Sequence, residues 1–240
     1  MSKRVFGGVG HGGKDSGAVG NGLRESDINL DIALAWEAEM KRHKVEVKLS
    51  RYKDEDDDLK EEIRECNEYN PDLAIDFHTN AGGGDGFEVY YSIVGGVGKI
   101  LAQNIEAEVK KLEQNSRGIK TRTNSSGKDY YGFIRNTKCP SVIVECAFID
   151  NKEDIGIVDT KEERKRFGIA IAKATLKTLG IEYKDPTPPP VIDKDIFYRV
   201  VAGSYNNIEN AEAQLKLLES KGIKGCFIDI YTTLQENLTS

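Results

Sequence analysis

Cysteine is scarce in this sequence: four residues in 240, at positions 66, 139, 146 and 226, with no Cys-x-x-Cys spacing. That excludes a small disulfide framework and reads as four free thiols. A basic surplus is missing too. The net charge is −6 and the pI near 5.3, which argues against nucleic-acid binding. No apolar run is long enough to span a bilayer, and the opening "MSKRVFGGVG" lacks the apolar core of a secretory signal. The expectation is synthesis in the cytoplasm without a signal peptide. Low-complexity blocks are absent, and proline is confined: four of six fall in "EYKDPTPPPVIDKD". Histidine occurs only three times, at 11, 43 and 78.

What is present is alternation. "KRVFGGVG" reads as a short buried strand. "SDINLDIALAWEAEMKRH" carries Ile28, Ile32, Trp36 and Met40 at helical spacing, with Ser26 or Asp27 as N-cap. "VEVKLSR" alternates as a strand, and "LKEEIRECNEYN" reads as a polar helix stopped by Pro71. "DLAIDFHTNA", "GFEVYYS" and "PSVIVECAFI" read as strands. "GKILAQNIEAEVKKLEQN" and "KEERKRFGIAIAKATLKTLGI" read as helices. Strands alternating with helices predict an α/β fold, a mostly parallel central sheet with helices on both faces. The domain boundaries expected are 1–182 for this part, 183–195 for an extended Pro-rich linker and 196–240 for a small βαβ unit.

The chemistry centres on "VGHGGKDSGAVG", where His11 sits among glycines. In an open α/β sheet, ligands bind beyond the carboxyl ends of strands. His11 follows the first strand, His78 ends "DLAIDFH", Glu145 lies late in "PSVIVEC" and Glu25 opens the first long helix. Two imidazoles and a carboxylate can hold zinc and leave a fourth position for water, and a further carboxylate can then take that water's proton. Spacing alone leaves the plain alternatives open. His78 also reads as a hydrogen-bonded core histidine, Glu25 as a helix N-terminal charge, and the glycines as a turn.

The segments "GHGGKDSGAVGNGLRESDINL", "DLAIDFHTNAGGGDGFEVYY" and "PSVIVECAFIDNKED" resemble, in order, the three signature blocks of the zinc-dependent N-acetylmuramoyl-L-alanine amidases, the amidase_3 family. Arg51, "IRECN" and "RGIK" match between the blocks, so the likeness runs over about residues 3–181. It implies zinc bound by His11, Glu25 and His78, with Glu145 as the catalytic carboxylate and peptidoglycan as substrate. The implied reaction cleaves the amide between N-acetylmuramic acid and L-alanine. One position departs: the family usually has Asp-Pro where this chain has Gly8-Val9. Asn80, two residues past His78, and the cations Arg117 and Lys120 are expected to touch the shell or the anionic stem peptide.

The tail "FYRVVAGSYNNIENAEAQLKLLESKGIKGCFI" is similar to the first half of the SPOR repeat, a family that binds peptidoglycan glycan. Either two copies pair between chains to complete one sheet, giving a homodimer, or the piece is a weakly folded remnant. Action on the wall without a leader implies release by a phage holin or by host-cell lysis. Two rival functions are a cysteine peptidase using Cys146 or Cys139 and a wall-binding protein without catalysis. "DEDDD" at 54–58 reads as a solvated acidic run, and His43 as an exposed cation at a helix C-terminus.

Overall fold

The computed structural model describes residues 2–186, 203–224, 226–228 and 230. The chain divides into two units, Met1–Asp185 and Pro186–Ser240. In the first, β1 (Arg4–Val9) leads to a two-residue hairpin, β2 (Val19–Gly20) and β3 (Leu23–Arg24). There follow α1 (Glu25–Arg42), β4 (Glu46–Leu49), α2 (Leu59–Tyr69), β5 (Leu73–Asn80), β6 (Phe87–Tyr91), α3 (Gly96–Val109), β7 (Ser116–Lys120), α4 (Gly132–Asn136), β8 (Ser141–Phe148), α5 (Lys152–Ile155) and α6 (Lys161–Thr178). Six strands form one sheet in the order β4-β1-β5-β8-β6-β7. The pairs are parallel except β6 with β8. The six residues between β5 and β6 are too few to carry the chain back along a strand for a parallel return.

Strand alternation decides which chemistry goes where. Val5 and Val9 of β1, Ile75 and Phe77 of β5, and Val142 and Val144 of β8 belong to the main core, together with Ile28, Ile32, Trp36 and Met40 of α1. Helices α1, α3 and α6 pack together on this side. Trp36 is fully buried, and its indole N–H donates to Thr175 Oγ1 at 3.1 Å, which removes the cost of hiding that donor. The neighbouring positions Phe6, Ala74 and Ile143 form a smaller core with Cys66 of α2 and with Phe133 and Ile134 of α4. Counting on by two along the same face brings Gly8, then Asp76 and His78, then Glu145. The second face is thus apolar at one end and ionisable at the other.

Helix α1 begins two or three residues earlier than those caps imply, because Arg24 and not Ser26 or Asp27 takes the cap position. The backbone of the preceding loop serves instead: Glu25 N–H donates to Ala18 O at 2.9 Å and Ser26 N–H to Ser16 O at 3.1 Å. That shift places Glu25 in the first turn, facing His11 and His78. In the second unit α7 (Ile208–Ser220) is capped by Asn207, which accepts from Glu209 N–H, and a glycine with φ +81° follows at 222. The strand expected in "FYRVV" lies outside the described residues. Of the second expected strand, residues 226–228 and 230 are irregular.

Candidate active site

Three donors converge from three elements. Glu25 Oε1 lies 3.1 Å from His78 Nδ1 and 3.4 Å from His11 Nε2. A tetrahedral zinc with bonds of about 2.0–2.1 Å spaces its ligand atoms by roughly 3.3 Å, so these separations suit one ion. Among the described residues this is the one cluster of metal-type side chains whose donor atoms all lie within 4.8 Å. The loop from β1 delivers His11 with φ +64°, a left-handed conformation that turns its side chain back over the strand ends. Gly10 is needed beside it, since a Cβ there would collide with the His78 ring. That close approach is what the glycine run permits.

Each imidazole offers one nitrogen to Glu25 and the other to an aspartate. His11 Nδ1 lies 2.8 Å from Asp15 Oδ2, and His78 Nε2 lies 3.3 Å from Asp76 Oδ2. Glu25 is itself pinned. Its Oε2 accepts Ala18 N–H at 2.9 Å and its Oε1 accepts Thr79 N–H at 3.0 Å. Burial pushes the Glu25 carboxyl up, but hydrogen bonds from His11 and His78 win and hold it well below the usual range. Hydrogen bonding to Glu25 raises the His11 pKa against the opposing effect of burial. Burial lowers that of His78, and the Asp76 charge and hydrogen bonds to Asp76 and Glu25 more than reverse it.

Glu145 stands opposite His78 in the β5–β8 ladder and opposite Glu88 in the β6–β8 ladder. Burial, with Glu25, Asp76 and Glu88 nearby, raises its carboxyl to about 7, while His78 pulls the other way. Glu88 was not singled out in the sequence. It is buried and receives Arg117 Nε, Lys120 Nζ at 2.6 Å and the Tyr90 hydroxyl at 2.8 Å. Burial opposes its charge, but those donors hold the Glu88 carboxyl below the usual range. Arg117 and Lys120 therefore stand beside the site with their charges directed at Glu88. Asn80 turns to its own loop, its Oδ1 accepting Ala81 N–H at 2.8 Å, where the β5–β8 register slips.

Arg51 matters more than its position in the sequence suggests. Its buried guanidinium donates to Val9 O at 3.0 Å, Ser26 O at 2.7 Å, Gly10 O at 3.4 Å and Lys53 O at 3.1 Å, tying the His11 loop to the start of α1. Arg51→Ala strands several buried carbonyls, and a loss of about 3 kcal/mol in a denaturant melt is expected. Arg51→Lys restores little, because one ammonium cannot reproduce the planar fork. An unchanged melt would remove Arg51 from the scaffold.

The acidic run is exposed at Asp54, Asp56 and Asp58 and leads into α2, as expected, and it also clasps the glycine loop: Asp54 accepts Gly13 N–H at 2.7 Å and Asp56 accepts Lys14 N–H at 2.8 Å. One expectation needs correction. His43 is half-buried, near Glu39 O at 2.8 Å through Nδ1 and accepting Lys184 N–H at 2.9 Å on Nε2. Cys146 points into the main core with no exposure, and burial pushes its thiol up. Cys139 faces Cys66, their sulfurs 4.0 Å apart.

Known proteins resemble this chain in sequence and in fold. The N-acetylmuramoyl-L-alanine amidase family matches residues 8–177, and the SPOR domain matches residues 169–229. An endolysin of Bacillus phage SPP1 is 38% identical over 167 residues, 66% of this chain and 59% of the endolysin. A sporulation-specific N-acetylmuramoyl-L-alanine amidase of Bacillus subtilis (strain 168) is 28% identical over 223 residues, 91% of this chain and 82% of that protein. Among solved structures, Cwp6 from Clostridium difficile superposes with TM-score 0.73 at 37% identity, covering 75% of this chain and 30% of its own. The catalytic domain of CwlV, an amidase from Bacillus (Paenibacillus) polymyxa var. colistinus, gives 0.68 at 27%, covering 75% and 99%. With its mostly parallel sheet and the three signature segments brought to one end of it, this chain belongs to the N-acetylmuramoyl-L-alanine amidase family.

Proposed function

We propose that the protein is a peptidoglycan hydrolase that cleaves the amide between N-acetylmuramic acid and L-alanine, with zinc held by His11, Glu25 and His78. The observation that carries this reading is the convergence of three donors, distant in sequence, at 3.1 and 3.4 Å around Glu25 Oε1. When bound, zinc supplies a Lewis acid that polarises the amide carbonyl and acidifies water. Glu145, at the strand end beside His78, takes the proton of the attacking water on its carboxylate. It then returns that proton to the departing alanine nitrogen. Its carboxyl near 7 suits both tasks at neutral pH. Arg117 and Lys120 keep Glu88 charged and present a cationic rim to the acidic stem peptide. Asn80, at the end of β5, supports the metal shell or the substrate beside His78.

The SPOR match supports attachment of the tail to glycan, and pairing of two half-repeats into a homodimer is part of this proposal. No helix among the described residues is long and apolar enough to cross a membrane. Delivery to the wall by a holin or by host lysis completes the reading, which a phage endolysin among the relatives supports. Incubation with purified peptidoglycan tests it. Stem peptides with a free N-terminal L-alanine should appear, chelation should stop their release, and thiol alkylation should not. Release blocked by alkylation alone would point to a cysteine peptidase.

The raised histidines set a pH dependence. Without metal, charged His11 and His78 stabilise the fold most fully below their unfolded pKa near 6.5, and that contribution is lost as pH rises through their higher folded values. Zinc binding must displace those protons, so its affinity rises with pH. The gap in melting temperature between zinc-loaded and chelated protein should widen from about pH 5 to pH 8. A gap that stays constant would count against imidazole ligands.

A further inference from the structure

Cys66 and Cys139 lie 73 residues apart in sequence and bring their sulfurs to 4.0 Å. Cys66 is fully buried on α2, in the smaller core with Phe6, Ala74, Phe133 and Ile143. Cys139, half-buried, packs against the same cluster from the segment that enters β8. The backbone on either side is already fixed. Asn67, next to Cys66, donates through Nδ2 to Asn136 O at 3.0 Å and accepts Lys138 N–H on Oδ1 at 2.7 Å. Just past Cys139, Pro140 O accepts Ala74 N–H at 3.0 Å. Two cysteines from distant parts of the chain are thus held side by side, with no role in the site at the strand ends.

We propose that Cys66 and Cys139 are a cross-linking site, closed to a disulfide by exchange with a disulfide oxidant and tying α2 to the start of β8. A buried free cysteine ordinarily serves as a small packing group. That role asks for one thiol in the cluster. It does not ask for a second sulfur in contact, nor for a side-chain clamp at the neighbouring residues. Forming a bond of about 2.05 Å brings the sulfurs some 2 Å closer, which is within the sweep of two side chains that each carry sulfur on one rotatable bond.

The chemistry is thiol–disulfide exchange. Cys139 Sγ, as thiolate, attacks one sulfur of the oxidant, whose S–S bond breaks and whose other sulfur leaves as a thiol. Cys66 then gives up its proton and attacks Cys139 Sγ, and the second thiol departs. The chain loses two electrons and two protons, and the oxidant becomes two thiols. Exposure sets this order, since Cys66 is enclosed and Cys139 is not. The contact with Cys66 also lowers the Cys139 thiol against the effect of burial, while the same contact and burial together raise that of Cys66. In a reducing compartment the pair stays as two thiols, and in an oxidising one the bond forms. The closed loop of 73 residues holds β5, β6, α3, β7 and α4, so the bond restrains the unfolded chain strongly.

The test incubates the native full chain with glutathione disulfide, then alkylates it in denaturant and maps the digest by mass. Cys66 and Cys139 should be recovered as one linked pair, reversed by a dithiol reductant, and the oxidised chain should melt roughly 10 °C above the reduced one. Cys139→Ser and Cys66→Ala should each abolish both the linked peptide and the rise in melting, with peptidoglycan hydrolysis unchanged. If Cys66→Ala does not fold, Cys139→Ser, at the half-buried position, carries the comparison alone. Chelated protein should cross-link equally, so failure of the metal reading and failure of this one are told apart. Glutathione retained on Cys139 with Cys66 unlinked, both thiols left free, or a linked chain that melts no higher would each overturn the proposal.

Discussion

Glu145→Gln should lower kcat by about 10³-fold while zinc remains bound at full stoichiometry. The glutamine keeps the shape of the side chain and loses only its basicity, so the loss belongs to the proton transfers. Glu145 lies on β8 directly opposite His78 and contributes none of the three converging donor atoms, so its neutral isostere leaves that set intact. With its carboxyl near 7 in the absence of metal, and a cation at His78 drawing that value down, the acid limb of the wild-type rate profile should fall at or below neutral pH. In Glu145→Gln that limb should disappear from the residual activity. Near-normal turnover would assign the proton transfers to another group.

His78→Ala should lose metal and activity together. Two ligands remain, His11 and Glu25, and the affinity should drop by more than the ~10–100-fold typical of an outer hydrogen-bond partner. Metal content after dialysis is the direct readout. The variant also leaves Asp76, fully enclosed by protein, without its partner, so a lower melting temperature is expected even in the metal-free state. Zinc added in excess should not restore the rate. Full zinc occupancy in His78→Ala would show that the ion sits elsewhere.

Most of the sheet and its helices can be read from periodicity, because each long element carries an uninterrupted pattern. Ile28, Ile32, Trp36 and Met40 mark one face of α1, and "DLAIDF" is apolar at every position that meets the main core. The antiparallel β6 was also within reach, since a six-residue connection limits where the chain can go. The metal donors were legible as residue types at strand ends and became specific only through the family likeness of the three segments. What pattern could not reach is the support around them. Arg51 clamps three segments of backbone that are far apart in sequence. Asp54 and Asp56 look like a surface run until the glycine loop is folded onto them. These roles depend on tertiary proximity, which residue order alone does not encode.

Anomalous diffraction at the zinc edge from crystals of the full chain tests the centre of this account most directly. One zinc per chain is expected, bonded at about 2.0–2.2 Å to His11 Nε2, Glu25 Oε1 and His78 Nδ1, with Glu145 near but unbonded. An active protein whose crystals place no metal at that point, or hold it on other side chains, would contradict it.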